Sequence, residues 1–191
     1  IRTPMNAIIG LNKLLLDSGL DDKQRQYAKA IAQSGENLLW IVNDILDQAK
    51  IESGKFSFVE RPFELDVQLE QLRNLFLHKA LENQIAYSIH TAPDVPNRLL
   101  GDPLRLQQVL TNLVGNAIKF TRQGAVHLEV SLLEKNAVHA WLRFDVQDSG
   151  IGIPAEKLEL IFESFEQVDD DDFAGQRGTV LGLSIARQMV E

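Results

Sequence analysis

AWLRFDVQDSGIGIP, residues 140–154, begins as an alternating stretch and ends as a turn. Ala140, Leu142, Phe144 and Val146 occupy every second position, the pattern of a strand with one buried face. That run delivers Asp148 to the end of the strand, and Gly150 and Gly152 then allow a sharp turn or a close approach of the backbone to another group. Taken alone, the same fragment also reads as an ordinary strand-to-loop turn with a solvated aspartate. Upstream, Val126, Leu128, Val130 and Leu132 alternate in the same way. Lys135-Asn136 lies between the two runs, so they form an antiparallel hairpin leading directly into Asp148.

Before the hairpin, Leu65, Leu69, Leu72, Phe76 and Ala80 mark a helix, Ile85, Tyr87 and Ile89 a strand, and Leu106, Val109, Leu113, Ala117 and Phe120 a second helix. This is an α+β layer, one sheet covered by helices. In Leu110-Thr-Asn-Leu-Val-Gly-Asn-Ala-Ile-Lys-Phe-Thr121, Asn112 and Asn116 are four apart and share a helix face. Lys119 follows one turn on, and the apolar residues take the other face. An amide oxygen is a neutral, hard ligand suited to magnesium, which keeps several waters and recruits few protein oxygens alongside phosphates. A solvated face that carries two Asn and a Lys with no ligand fits the same pattern.

The first fifty residues have a different texture. Asp21 to Gln24 reads as a capping box, after which Tyr27, Ile31, Ser34, Leu38, Ile41, Ile45 and Ala49 follow at spacings of four and three until Gly54 stops the helix. Met5, Ile8, Leu11 and Leu15 mark a shorter helix, joined through Asp17-Ser-Gly-Leu20 as a helical hairpin. Leu39, Val42 and Leu46 widen the apolar face beyond one seam. Either a second copy completes a four-helix bundle or the rest of the chain covers that face. A break near 53–63 divides the chain into a hairpin, residues 1–53, and an α+β domain, residues 56–191.

Composition limits the partners. With 45% hydrophobic and 24% charged residues in 191, the chain suits a globular protein of one or two domains. A formal net charge of −8 gives no reason to expect nucleic acid or an anionic membrane surface. Without cysteine there is no disulfide frame or thiolate metal site, and His78, His90, His127 and His139 are not spaced as ligands. No apolar run approaches the roughly 18 residues that span a bilayer, so no direct membrane contact is expected.

Together these motifs resemble sensor histidine kinases over nearly the whole chain. IRTPMNAIIG (1–10) is similar to the segment just after the phosphoacceptor histidine, LTNLVGNAIKFT (110–121) to the asparagine box, and DSGIGIP (148–154) to the first glycine box. IFESFEQ (161–167) is similar to the phenylalanine box and RGTVLGLSIA (177–186) to the second glycine box. IRTPMNAIIG and FEQVD resemble the hybrid sensor kinases of bacterial two-component systems. Gyrase, mismatch-repair proteins and large heat-shock chaperones share the Asn and Asp-x-Gly-x-Gly devices, but the preceding hairpin argues against them.

The resemblance implies a hairpin that pairs into a dimeric four-helix bundle through residues 1–53, followed by an α/β sandwich that binds ATP and Mg2+. Asp148 would accept a hydrogen bond from the adenine amine, which selects against guanine. Gly150 and Gly152 would admit the nucleotide, and Asn116 with Asn112 would hold magnesium on the phosphates. Lys119 would neutralise phosphate charge, and Phe120 would wall the adenine pocket. Thr179, Leu181 and Gly182 would offer backbone to the phosphates at a helix amino end. Thr3 matches the family position that orients water for dephosphorylating a response regulator, although Thr3-Pro4 also reads as an N-cap and first helical residue. The function implied is transfer of the γ-phosphoryl of ATP to a histidine and then to an aspartate of a receiver domain, in the cytoplasmic portion of a bacterial inner-membrane sensor. The alternative is a catalytically silent dimerising module that regulates a partner kinase or response regulator.

Departures from the family pattern carry expectations of their own. The acceptor histidine would stand immediately before Ile1, so residues 1–191 alone are expected not to autophosphorylate. The family's closing strands would follow Glu191. Arg177 and Val180 stand where the second glycine box has glycines, and Asp169 to Asp172 lie nearby. A β-branched residue at a positive-φ position would strain a nucleotide-bound loop.

Overall fold

A computed structural model describes residues 2–158, 160–162 and 182–190. The chain divides into two compact units, Ile1–Phe56 and Ser57–Glu191.

The first unit is a pair of helices, α1 (Arg2–Leu16) and α2 (Asp22–Glu52). The Asp21 carboxylate accepts from the Gln24 amide at 2.8 Å and the Gln24 side chain accepts from the Asp21 amide at 3.1 Å, which completes the capping box. At the far end Gly54, at φ +64°, takes the left-handed conformation, and the Lys55 amide reaches back to the Lys50 carbonyl at 2.9 Å. This is a Schellman ending.

The apolar stripe that marks α1 in the sequence is not the face that meets α2. Met5, Ile9, Asn12 and Leu16 face α2, while Ile8, Leu11 and Leu15 stay exposed. The cause is a buried polar residue. The Asn12 amide donates to the Ala28 carbonyl at 2.8 Å, and small residues let the helices approach, with Ile9 Cγ1 only 3.1 Å from where a Gly35 Cβ would sit. The stripe Tyr27, Ile31, Leu38, Ile41, Ile45 of α2 is left exposed as well. Thr3 lies within α1, which starts at Arg2, so it is not the N-cap. Proline is tolerated in the first helical turn because its missing amide would have no partner there.

In the second unit β1 (Arg61–Glu64) pairs antiparallel with β3 (Arg98–Gly101). The main sheet has the order β2 (Ile85–Thr91), β4 (Gly124–Lys135), β5 (Ala140–Asp148), with β2 parallel to β4 and β4 antiparallel to β5. One face carries α3 (Leu65–Glu82) and α4 (Pro103–Phe120). All five expected positions of α3, Leu65, Leu69, Leu72, Phe76 and Ala80, are buried. They meet Val126, Leu128 and Val130 of β4 and Leu110, Val114 and Ile118 of α4 in one core. On α4 the deepest positions therefore fall beside the expected stripe, because α4 is covered by α3, the sheet and α5 (Gly182–Val190) rather than along one edge. A register shift between Leu132 and Glu134 turns Leu133 and Trp141 outward near the hairpin tip.

Asp102 fixes the start of α4. One of its oxygens accepts from the Leu104 and Arg105 amides at 3.1 Å each, and the other accepts from the Val59 amide at 2.9 Å, tying the entry segment to the helix. Burial alone would raise this carboxyl. The hydrogen bonds from Val59, Arg105 and Leu104, with the Arg105 charge, outweigh that and hold it below its ordinary 3.8. A depressed folded pKa contributes stability that is present above 3.8 and lost as pH falls towards the folded value. Asp102→Ala should cost about 1–2 kcal/mol near neutral pH. Urea unfolding at neutral pH and at about pH 3 should show the gap between wild type and variant narrowing in acid; a constant gap would contradict the assignment.

Candidate functional site

The end of β5, the turn after it and α5 converge on α4. Asp148 Oδ1 accepts from the Gly150 amide at 2.8 Å, folding the turn back on its own acid. A Cβ on Gly150 would lie 2.6 Å from the Phe120 carbonyl oxygen and 2.7 Å from Asp148 Oδ1, so only glycine lets this turn rest on the last residue of α4. Gly152 owes its identity to conformation instead: its φ is +71° and nothing surrounds the Cβ position.

Ser149, not singled out in the sequence, holds the turn from the other side. Its amide donates to the Ala125 carbonyl at 3.0 Å, and its hydroxyl accepts from the Ala125 amide at 2.9 Å. Gly124, at φ +116°, leaves the space that the Ser149 hydroxyl fills. The signal available in the sequence was the small polar residue between the acid and the first glycine, which reads as turn chemistry until its partner strand is known.

The two asparagines differ in burial. Asn112 is buried rather than on a solvated face, and its amide nitrogen donates to the Gly182 carbonyl at 3.0 Å. A Cβ on Gly182 would come 3.2 Å from Asn112 Cγ, so Gly182 is small where α5 begins against α4. Asn116, one turn on, is only partly buried. Lys119 sets its ammonium 4.5 Å from the centre of the Phe120 ring. Burial, and then the charge of Lys79, push the Lys119 ammonium below its ordinary value.

Asn112, Asn116, Lys119, Phe120, Asp148, Gly150 and Gly182 thus border one stretch of α4, which at 1.5 Å per residue runs about 12 Å from Asn112 to Phe120. Thr179 and Leu181, with Arg177, Val180 and Asp169 to Asp172, lie outside the described residues. Among the described residues no group of three or more His, Cys, Asp or Glu could hold a metal ion. The donor set suits a hard cation that arrives with phosphate oxygens and takes an amide oxygen from the protein.

Residues 1–54 match the family described as His Kinase A (phospho-acceptor) domain, and residues 101–191 match the Histidine kinase-, DNA gyrase B-, and HSP90-like ATPase family. Sensor protein GacS of Pseudomonas syringae pv. syringae is 41% identical across all of this chain. The chain spans about a fifth, 21%, of that relative's length. Among solved structures, full-length ShkA in complex with AMPPNP is 34% identical with a TM-score of 0.74, over 98% of this chain and 38% of ShkA. The nucleotide-free catalytic domain of histidine kinase ThkA is 32% identical with a TM-score of 0.55, over 71% of this chain and 82% of that domain. ThkA in complex with the response regulator TrrA is 27% identical with a TM-score of 0.59, over 98% of this chain and 50% of that one.

The two glycines of the turn respond differently to a methyl group. Gly152→Ala should cost about 1–2 kcal/mol, the penalty of the left-handed conformation alone. Gly150→Ala should cost more, because its Cβ meets a helix carbonyl that cannot move without α4. Urea midpoints of the two variants measure the difference, and equal losses would show that the turn does not rest on Phe120.

Proposed function

The chain belongs to the histidine kinase family, and from that premise we propose that residues 57–191 bind ATP along α4 and donate its γ-phosphoryl to a histidine. The observation that carries this reading is the convergence of the Asp148 turn and the Gly182 helix start on one stretch of α4, the turn at Phe120 and the helix start at Asn112. Asp148 offers an acceptor oxygen to the adenine amine, a polarity that guanine does not match. Phe120 walls the base, and Gly150 and Gly152 keep side chains out of its way. Asn116 is the protein ligand for Mg2+, with its amide oxygen, while Asn112 positions α5 through the Gly182 carbonyl. When bound with ATP, the cation offsets phosphate charge and orients the terminal phosphoryl group. Lys119 adds a cation beside the phosphates, and the amino end of α5, with Thr179 and Leu181 just before it, supplies backbone amides.

In the whole protein the phosphoryl group then passes from histidine to an aspartate of a response-regulator receiver domain, as in a hybrid sensor kinase. ThkA's complex with a response regulator supports this partner class. Residues 1–53 form the dimer: the exposed rows Ile8, Leu11, Leu15 on α1 and Tyr27, Ile31, Leu38, Ile41, Ile45 on α2 are the surfaces that a second hairpin would bury. Thr3, exposed in the first turn of α1, is the candidate for orienting water in dephosphorylation. No helix among the described residues is long and apolar enough to cross a membrane, and we assign the chain to the cytoplasmic portion of an inner-membrane sensor.

Calorimetric titration of ATP with magnesium tests the adenine assignment. Asp148→Asn should weaken binding by roughly 1.5–3 kcal/mol, about ten-fold to a hundred-fold, whereas Asp17→Asn in the α1–α2 connection should leave it unchanged. Equal affinities for the two variants would defeat the assignment of Asp148, and wild-type protein that binds no ATP would favour a silent module.

A further inference from the structure

The strands β2 and β4 are parallel, and each is entered from the C-terminal end of the helix before it, so α3 and α4 run in the same direction. They touch closely, since Phe76 Cζ lies 3.4 Å from the Cβ position of Gly115. Three residues beyond Phe76 is Lys79, and four beyond Gly115 is Lys119, each in the last turn of its helix. This spacing carries both cations to the same end of the helix pair, one turn past the contact.

Either lysine alone is explained by the negative C-terminal end of its own helix. Their placement at one end of the packed pair is not, because like charges repel. Among the described residues neither is ion-paired to a carboxylate, and the nearest acid along α3, Glu82, already faces His78 at 3.4 Å. In a chain of net charge −8, two lysines gathered at the flank of the candidate nucleotide site form a local concentration of the opposite sign. A polyanion beside Lys119 resolves the repulsion.

We propose that Lys79 is a second cation of the phosphate-binding site, which acts on the phosphate charge without touching the base and so discriminates ATP from less charged adenine ligands. The proposal rests on the nucleotide reading given above. The pressure of the Lys79 charge on the Lys119 ammonium is consistent with the two groups sharing one electrostatic neighbourhood.

Calorimetry on the full chain with ATP, ADP and adenosine, at fixed magnesium and low salt, tests it for wild type, Lys79→Gln and Lys79→Arg. Lys79→Gln should weaken ATP about three-fold to ten-fold and ADP less, leave adenosine unchanged, and lose its effect at high salt. Lys79→Arg should restore ATP affinity. A merely structural role would lower all three ligands alike, and that result, or no change with any of them, overturns the proposal. Wild-type protein that binds none of the three removes the nucleotide reading and this inference with it, an outcome distinct from intact wild-type binding that Lys79→Gln does not alter.

Discussion

The carbonyl oxygen of Phe120 and the missing side chain of Gly150 share one small volume, and the candidate site is built around that fact. A helix ends there with its backbone oxygen facing a turn, and the turn can approach only because no Cβ intervenes. Asp148 is then held in place by the Gly150 amide and, through Ser149, by the first residues of β4. At the other end of the same helix stretch, Asn112 spends its amide hydrogen on the first residue of α5. Thus α4 is a shared wall, fixed at its start by the three hydrogen bonds to Asp102 and braced by a core in which Leu110, Val114 and Ile118 are nearly inaccessible. Displacing it would uncouple the acid, the aromatic, the amide and the helix start together.

The hairpin follows a different economy. Its internal seam is narrow because Ala28 and Gly35 are small and Asn12 uses a backbone carbonyl as partner. The larger apolar side chains are thereby left outward on both helices. A seam that consumed Ile8, Leu11 and Leu15 would bury the row that now stays exposed on α1. The second unit, by contrast, gathers Leu65, Leu72, Leu110, Val114, Ile118, Val126, Leu128 and Val130 into one buried core.

Local signals in the sequence were transparent wherever one element determined its own structure. The capping box at Asp21–Gln24, the stop at Gly54, the buried row of α3 and the hairpin leading to Asp148 all depend on neighbours within a few residues or on simple periodicity. What was obscure depended on distant partners. The face of α1 that meets α2 does not follow its apolar stripe, because a buried Asn lies in it, and Ala28, which accepts the hydrogen bond of that Asn, is sixteen residues away. The burial of Asn112 depends on α5, whose first residue, seventy positions on, takes its hydrogen bond. The short strands β1 and β3, four residues each, are too brief for alternation to register, and Asp102 makes its decisive contact with Val59, forty-three residues earlier. For the site, the residue types are visible in the asparagine and glycine motifs, while the contacts of Ser149 and Gly124 require knowing which elements lie side by side.

Amide hydrogen exchange of the full chain, with and without magnesium and ATP, tests the shared wall most directly. If α4 is the common face, nucleotide should slow exchange at residues 148–152 and 182–185 together, along with the end of α4, and leave the α1–α2 connection at 17–21 unaffected. Protection confined to one of the two segments, or appearing elsewhere with both unchanged, would contradict it.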